Sequence, residues 1–269
     1  MSRLPADRQR PPARTLVALA LIVILGIVTV VGGVTVLHLP DPVTTQGERI
    51  SNLYLPVLVI SLVVFYGVTS GIIWAIFRYK RQSEDEMPEQ IHGSSVLEAT
   101  WTVIPIIILV ALFIPALMLV IDLKTPPDDP DVTVEAIGHQ WWWEFGYPDD
   151  GLRIQQTPPN YEDLDPPRLV LPVDEDILIK VRSIDVVHSF SAPQTLYKIQ
   201  AIPGNVNLMH LKFNETGVFT GQCYQFCGVR HADMLFVFEI VTREEYDDWV
   251  SETQAAQGIN PADLVKSKD

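Results

Sequence analysis

The sequence predicts a membrane-anchored, all-β protein in which N-terminal transmembrane helices precede a β-sandwich or β-barrel. Three stretches with almost no charge, residues 15–40, 51–78 and 97–122, are each long enough to cross a bilayer. After residue 131, short β-type runs separated by turn residues take their place. The hydrophobic content is 48%, yet the formal net charge is −14, and most acidic residues lie after residue 122. Such an acidic outer part repels phosphates, so we expect no nucleic-acid partner.

The first 40 residues predict a basic leader over residues 1–14 and an apolar helix over residues 15–40. This helix is either a signal peptide or a first transmembrane helix. It is longer than the usual apolar core of a signal peptide, and no Ala-x-Ala site follows it, which favours a retained helix. The Gly32-Gly33 pair leaves cleavage open. The leader's basic residues are Arg3, Arg8, Arg10 and Arg14.

The runs 51–78 and 97–122 predict a hairpin of two transmembrane helices. A basic cluster, Arg78, Lys80 and Arg81, follows the first of them, and basic segments stay on the inner side of a membrane. Prolines inside the second run are tolerated in membrane helices when neighbours satisfy the backbone. We therefore expect a multi-pass protein of the plasma (inner) membrane whose C-terminal domain lies on the outer, periplasmic or extracellular, side.

The outer part divides into a proline-containing linker at 123–130, a β domain at 131–242, and a helix with a loose tail at 243–269. The acidic residues that open the helix suit the positive end of its dipole. The clearest strand-like runs begin at residues 132, 152, 177, 206 and 235, and turn sequences such as Pro148-Asp-Asp-Gly separate them.

A candidate metal motif, Cys-x3-Cys-x3-His-x2-Met, contains both cysteines of the chain. Its members are Cys223, Cys227, His231 and Met234. Thiolates, imidazole and thioether are soft ligands that favour copper over hard cations. A disulfide between the cysteines and half of a zinc site are the alternatives. His188 comes after a strand-like run and is the candidate for a further ligand, although a lone histidine is more often structural.

Three segments make the chain resemble subunit II of cytochrome c oxidase, in the haem-copper oxidase superfamily. Residues 92–105 are similar to the start of that family's second hairpin helix. The segment 138–143, Gly-His-Gln-Trp-Trp-Trp, is similar to its aromatic electron-input patch. Residues 183–190 and 221–234 resemble its binuclear copper site, called CuA.

This resemblance implies a cupredoxin-like Greek-key β-sandwich that holds two copper ions. Cys223 and Cys227 would bridge the ions, and His188 and His231 would each bind one. Met234 and the backbone carbonyl of Gln225 would be weak axial ligands. Rigid attachment of these ligands limits reorganisation during electron transfer.

The resemblance also implies partners and further functional residues. Trp141, beside Trp142, would accept electrons from cytochrome c or a similar basic donor, and the acidic clusters would steer that donor. If the three tryptophans lie in one strand, Trp141 and Trp143 share a face. Glu98 would stand at the mouth of a proton-uptake path into subunit I. Subunit I, which carries the haem, and subunit III would be partners in oxygen reduction to water coupled to proton pumping.

The chain departs from the family pattern at several positions. Gln225 stands where a magnesium-binding glutamate is usual, and a neutral amide binds a hard cation less well, which puts magnesium at the subunit I interface in doubt. Gln200 and Asn205 replace the usual Asp and Arg, which leaves the oxidase subtype open. Two alternative functions remain: the CuA-bearing subunit of a nitric oxide reductase, and a membrane-anchored copper-binding protein without electron transfer.

Overall fold

The computed structural model describes residues 13–36, 39–80, 83, 87, 90, 93–155 and 166–259. They form two compact units: a helical unit, and a β unit made of residues 39–52 and the chain from residue 116 onward. Several residues named above fall outside the described ranges. These are Arg3, Arg8, Arg10, Arg81 and the tail after residue 259. The acidic residues Glu162, Asp163 and Asp165, which belong to the acidic clusters expected to steer a donor, also fall outside them.

Three long helices supply the helical unit: α1 (Ala13–Val36), α2 (Thr45–Arg78) and α3 (Ser95–Lys124). Both α2 and α3 are long and apolar enough to cross a membrane, by length and composition. At about 1.5 Å per residue they span about 51 and 45 Å, more than the roughly 30 Å of a hydrocarbon core. Their most apolar stretches are not buried within the protein, which suits contact with lipid or with other membrane helices.

The start of α2 and the end of α3 belong to the β unit. Before α2, the N–H of Val43 donates to the carbonyl of Gln194 at 3.1 Å, and the N–H of Asn214 donates to the carbonyl of Val43 at 3.0 Å. In addition, Arg49 forms an ion pair with Asp122 near the end of α3. The segment 39–52 is thus tied to the β unit by main-chain hydrogen bonds and by a charged pair.

The β unit is a sandwich of two five-stranded sheets. Its strands are β1 (Val132–His139), β2 (Trp142–Tyr147), β3 (Leu152–Gln155), β4 (Arg168–Pro172), β5 (Ile177–Ser183), β6 (His188–Ser191), β7 (Ile199–Ala201), β8 (Asn207–Leu211), β9 (Gly217–Cys223) and β10 (Leu235–Val241). The first sheet has the order β3-β2-β1-β5-β8 and the second β4-β10-β9-β6-β7. The fold class predicted from the sequence is confirmed, and the sandwich replaces the barrel alternative.

Alternating apolar residues build the core between the sheets. In β5, Ile177, Ile179 and Val181 are fully buried, as expected for every second residue of a half-buried strand. Aromatic rings fill the centre, where Phe190 and Phe236 stack with centroids 4.3 Å apart. A close-packed core of this kind gives the loops at its ends a rigid base.

Strand direction assigns the loops to two ends of the sandwich. Because β1 and β5 are parallel, His139 and Ser183 finish at the same end. We call it the metal end, since His188 begins and Cys223 finishes their strands near it. The opposite end, the far end, carries the β2–β3 turn and the β4–β5 turn.

The last helix, α4 (Arg243–Gln257), begins with a capping box in which Thr242 and Glu245 satisfy each other's backbone N–H groups. It packs against the β2–β3 turn. The hydroxyl of Tyr246 donates to the carboxylate of Asp150 at 3.2 Å, and the amide of Gln254 donates to the carbonyl of Asp150 at 2.9 Å. This helix therefore fixes the far end of the hairpin that carries the tryptophans.

Candidate metal centre

The loop between β9 and β10 carries four of the predicted ligands. Its two ends meet because the N–H of Cys223 donates to the carbonyl of Met234 at 3.0 Å. Within it, Gly228 adopts a φ of +126°, which glycine reaches far more readily than other residues. A single 3₁₀ turn, His231–Asp233, then leads back to the sheet. The loop is thus closed by main-chain contacts before any metal is considered.

Strand β6 brings His188 to this loop from a distant part of the sequence. Phe190, two residues after His188, lies opposite Cys223 in the β6–β9 pairing. The N–H of Tyr224 donates to the carbonyl of Ser189 at 3.0 Å. Because side chains alternate along a strand, His188 points to the same side as Phe190. His188 is 0% exposed.

The predicted ligand atoms lie close together. The Sγ of Cys223 lies 3.9 Å from the Sγ of Cys227 and 3.8 Å from Nδ1 of His188. The Sγ of Cys227 lies 3.6 Å from Nδ1 of His231 and 3.9 Å from Sδ of Met234. The carbonyl oxygen of Gln225 lies 3.2 Å from the Sγ of Cys223. All six predicted ligand groups are therefore brought together.

Asp185 sets the orientation of the His188 ring. Its Oδ1 accepts a hydrogen bond from Nε2 of His188 at 2.8 Å. Since a carboxylate only accepts, Nε2 donates to Asp185, and Nδ1, which faces Cys223, is the nitrogen that can bind a metal once it is unprotonated. The ring fits against Gly138, where a Cβ would lie 2.8 Å from Cδ2 of His188. The ring of Trp143 contacts it edge-on, with centroids 6.0 Å apart.

The pKa values of the two thiols are shifted in opposite directions in the metal-free protein. Burial alone would raise the pKa of Cys223, but hydrogen bonds from His188 and from nearby backbone lower it to about 7. Burial, together with the neighbouring charge of Cys223, raises the pKa of Cys227 to about 12. At neutral pH the Cys227 thiol therefore keeps its proton, while Cys223 is partly ionised. A bound cation favours loss of both protons, because the thiolate is the ligand.

These residues fit a soft metal better than the alternatives. A disulfide needs sulfurs about 2.05 Å apart, and both cysteines are free here. One metal that binds two sulfurs at about 2.3 Å each can span up to about 4.6 Å between them, which includes the 3.9 Å observed. Two thiols, two imidazoles, a thioether and a carbonyl are more donors than the four of a structural zinc site. The donor set matches copper.

Trp141 and Gln140 both contact the metal loop. Nε1 of Trp141 donates to the carbonyl of Cys227 at 3.1 Å, and the Gln140 amide donates to the same oxygen at 2.7 Å. The Trp141 ring lies over Gly228, where a Cβ would be 2.9 Å from Nε1. The half-exposed indole of Trp141 is thus one hydrogen bond away from a ligand residue.

The three tryptophans do not lie in one strand as predicted, because Trp141 belongs to the turn between β1 and β2. Strand alternation therefore applies only to the other two. Trp143 is 0% exposed and lies in the core, whereas Trp142 is half-buried on the opposite face. The ring of Trp142 stacks on His139, with centroids 3.9 Å apart.

Glu98 belongs to the helical unit, in the first turn of α3, where its side chain is exposed. It is not among the residues that the β unit gathers around the cysteines.

The described acidic clusters lie at the far end of the sandwich. Asp174, Glu175 and Asp176 form the turn before β5, and Asp149 and Asp150 form the turn after β2. Both turns are at the opposite end of their strands from the metal loop. The steering role predicted for these clusters would therefore require the long-range field rather than direct contact near Trp141.

Three residues of the site were missed in the sequence: Gly138, Gln140 and Asp185. Gly138 and Gln140 flank His139 at the end of β1, where the parallel pairing of β1 with β5 brings Gly138 to His188 and Gln140 to Asp185. Asp185 precedes His188 by three residues, and a carboxylate beside a candidate histidine ligand is the signal that would have indicated its role.

Comparison with known proteins gives one family. The family model described as "Cytochrome C oxidase subunit II, periplasmic domain" matches residues 132–241. The model of the same subunit's transmembrane domain matches residues 32–119.

Individual relatives carry the same name. Cytochrome c oxidase subunit 2 of Alkalihalophilus pseudofirmus is 35% identical over 240 residues, which is 85% of this chain and 65% of that protein. The Arabidopsis thaliana protein of that name is 34% identical over 72% of this chain and 79% of its own length. The crystal structure of the periplasmic domain of subunit II of the Bradyrhizobium japonicum cytochrome oxidase is 34% identical, with a TM-score of 0.44. It covers 49% of this chain and 99% of that one.

Proposed function

Because the chain belongs to the family of cytochrome c oxidase subunit II, we propose that it is the electron-input subunit of such an oxidase. It accepts electrons from cytochrome c, or from a similarly basic donor, and delivers them to the haem of subunit I. Oxygen is reduced to water and protons are pumped in that partner, with subunit III in the same complex. The observation that carries this proposal is the convergence of four buried residues, His188, Cys223, Cys227 and Met234, with the half-buried His231 in one cluster.

Six groups would hold two copper ions. Cys223 and Cys227 would bridge them, His188 and His231 would each bind one through Nδ1, and Met234 and the Gln225 carbonyl would complete the site. A copper pair bridged by two thiolates supplies a one-electron carrier whose change of charge is spread over both ions. Cysteine and methionine sulfur suit copper in this role.

The fold would keep the copper ligands rigid and shielded from water. His188 and Met234 are fully buried, and both cysteines are almost so. The loop is closed by its own main-chain hydrogen bonds, and Asp185 fixes the His188 ring. Because these contacts do not depend on the metal, little structure has to move when the site changes charge.

Electron input takes place at Trp141. Its indole is half-exposed and donates a hydrogen bond to the carbonyl of Cys227. A path from that ring therefore needs one hydrogen bond and then only covalent bonds to reach a bridging sulfur. Trp142 lacks this contact among the described interactions and serves as a second aromatic surface for the donor.

Exposed apolar residues at the metal end support a docked partner. Phe226 and Val229 on the metal loop are 77% and 89% exposed, and Ile184 and Val206 on neighbouring loops are also exposed. Large apolar side chains grouped on a protein surface mark interaction sites. We assign this surface to subunit I, which must approach the copper ligands to receive an electron.

The membrane arrangement follows from charge. Arg78 is the last residue of α2 and Lys80 follows it closely. Basic residues of this kind stay on the inner side of the plasma membrane, so the β unit lies outside. Glu98, at the start of α3, then lies near the inner surface, where an ionisable side chain suits the mouth of a proton-uptake path. At the opposite surface, the neutral amide of Gln225 would hold magnesium weakly.

Copper analysis of the full-length chain in detergent tests the proposal. We expect two copper ions per chain and an EPR spectrum of one unpaired electron shared between them. In Cys227→Ser the shared signal should disappear, because one bridge is lost. A single copper, a zinc ion, or a Cys223–Cys227 disulfide in metal-supplied protein would contradict the assignment.

A further inference from the structure

Glu144 is a buried carboxylate that the copper ligands do not use. It lies in β2 on the outer face of the first sheet and is 5% exposed. One oxygen accepts a hydrogen bond from Nε2 of His139 at 3.1 Å, and the other pairs with Nη1 of Arg153 at 2.5 Å. A buried carboxylate without partners would be costly, so both contacts are needed to keep it charged in this position.

His139 links this carboxylate to the tryptophans. It faces Trp142 as the last pair of the β1–β2 ladder, and the two rings stack 3.9 Å apart at an interplanar angle of 13°. Burial lowers the pKa of His139, although the Glu144 carboxylate opposes the shift. The ring is therefore neutral at pH 7, and its Nε2–H points to Glu144. This hydrogen bond fixes the plane of the imidazole ring on which Trp142 stacks.

Arg153 connects the carboxylate to a rigid part of the fold. Its main-chain N–H and carbonyl are both bonded to the side-chain amide of Gln257 in α4, at 3.4 and 2.9 Å. The side chain of Arg153 is 60% exposed, whereas that of Glu144 is 7% exposed, so the ion pair joins a surface residue to a buried carboxylate. Glu144 thus lies in a chain of contacts that runs from α4 to the ring of Trp142.

The turn that follows His139 contains Trp141. His139 and Trp142 flank the Gln140–Trp141 turn on its two sides, and their stacked rings fix the spacing of its ends. That turn is held by hydrogen bonds to Cys227 of the metal loop and to Asp185 of the β5–β6 loop, and by packing of the Trp141 ring over Gly228. A small shift there lengthens the Trp141–Cys227 contact.

We propose that Glu144 is a positioning residue for electron input. Its carboxylate holds the imidazole of His139 flat against Trp142, and so keeps Trp141 in hydrogen-bond contact with Cys227. This role deepens the proposed function and depends on electron input at Trp141.

The test measures reduction of the copper-loaded, full-length chain by two donors, reduced cytochrome c and ascorbate. In Glu144→Ala we expect the rate with cytochrome c to fall about tenfold, as for a misplacement of less than an ångström. The rate with ascorbate, which needs no docked tryptophan, and the copper content should stay at the wild-type values. Glu135→Ala is the matched control, since Glu135 lies on the same sheet face and pairs with Arg182 at 4.0 Å. It should leave both rates unchanged.

An unchanged rate with cytochrome c, or an equal loss with both donors, would overturn the proposal. If Glu144→Ala does not fold or load copper, Glu144→Gln decides, because it keeps an acceptor for His139 but loses the charge facing Arg153. In Glu144→Gln the rate of reduction by cytochrome c should fall by less than in Glu144→Ala, and the rate with ascorbate should not change. A wild-type rate with cytochrome c would overturn the proposal. The variant Trp141→Phe distinguishes a failure of electron input at Trp141 from a failure of the positioning role of Glu144. A wild-type rate in Trp141→Phe contradicts input at Trp141, whereas a slow Trp141→Phe with a normal Glu144 variant contradicts only the positioning role.

Discussion

The indole Nε1 of Trp141 donates a hydrogen bond to the main-chain carbonyl of Cys227 at 3.1 Å. One partner is a half-exposed aromatic residue in a turn, and the other belongs to the buried loop that carries the predicted copper ligands. The contact bridges 86 residues of sequence. It joins the surface of the β unit to a candidate ligand in one step, which is what an electron-input residue requires.

Replacement of Trp141 by Phe should slow electron input. The variant keeps an aromatic ring but loses the N–H that bonds Cys227. We expect reduction by cytochrome c to slow by between about tenfold and a hundredfold, as for other small losses of reactant alignment. Stopped-flow absorbance of the copper site measures the rate.

Trp142→Phe is the matched control for this prediction. It removes an indole from the next residue, and Trp142 stacks on His139 rather than on the metal loop. We expect a much smaller change than in Trp141→Phe. Equal losses in both variants would show that the Cys227 contact is not the reason for the effect.

Replacement of Asp185 by Ala should weaken copper binding. Asp185 accepts hydrogen bonds from His188 and from the N–H of Gln140, so its loss frees a ligand ring and the tryptophan turn together. Removal of such a supporting carboxylate lowers metal affinity about 10- to 100-fold. Competition with a copper chelator measures the affinity. Asp174→Asn, at the far end, should bind copper as the wild type does. An Asp185→Ala affinity within twofold of the wild type would contradict this role.

The packing around His188 makes Gly138 a sensitive position. A Cβ there would lie 2.8 Å from Cδ2 of His188 and 3.3 Å from the Trp143 ring. Both neighbours are buried, so the strain cannot be relieved by a turn of an exposed side chain. We expect Gly138→Ala to cost about 1–3 kcal/mol of stability and to reduce copper loading.

Gly146→Ala gives the corresponding control. Gly146 lies in the neighbouring strand, and its added Cβ would meet nothing closer than 3.6 Å. Thermal unfolding and copper content of the two variants should therefore differ clearly. If Gly138→Ala melts and binds copper as Gly146→Ala does, His188 is not confined by β1.

Long periodic segments allowed the fold class to be predicted from the sequence. The runs at 51–78 and 97–122 lie within α2 and α3, whereas the run at 15–40 extends past the end of α1 at Val36. The runs at Leu152–Gln155 and Leu235–Val241 coincide with β3 and β10. The helix starts are harder to place. Helix α2 begins at Thr45, before the uncharged run at 51, because its first turns pack on the β unit and can contain polar residues.

Strands β6, β7 and β9 were not among the predicted runs, for two different reasons. Strands β6 and β7 have only four and three residues, too few for a periodic signal. Strand β9 contains Gly221, and glycine usually argues against a strand. Here a Cβ would lie 2.1 Å from the Phe236 ring, so the core requires glycine.

The residues of the candidate site also divide into those that a sequence motif predicts and those that only the fold brings together. Cys223, Cys227, His231 and Met234 share a short motif whose spacing is visible in the sequence. The placement of His188 beside them depends on the β6–β9 pairing, which local patterns do not encode. Contacts that join distant strands, such as that of Gly138 with His188, became visible only in three dimensions.

The capping box of α4 makes a pH-dependent contribution to the stability of the β unit. The backbone N–H and the hydroxyl of Thr242 both donate to the carboxylate of Glu245, and these bonds lower its pKa. Since the folded pKa is depressed, the stabilisation is present above the unfolded value of about 4.3 and is lost as the pH falls through the folded value. We expect Glu245→Gln to melt below the wild type at pH 7, because the charge-assisted bonds are lost.

The variant Glu244→Gln separates the effect of the capping box on stability from the effect of the helix dipole. Both glutamates lie in the first turn of α4, so both substitutions remove one favourable charge from the positive end of the helix. Only Glu245 bonds Thr242, and Glu245→Gln should therefore melt at a lower temperature than Glu244→Gln at pH 7. Thermal unfolding between pH 7 and pH 3 should show the advantage of the wild type over Glu245→Gln narrowing as the pH falls towards the lowered pKa of Glu245. Equal melting temperatures of the two variants at pH 7, or a wild-type advantage that is the same at pH 7 and pH 3, would mean that the box does not hold α4 against the turn at Asp150.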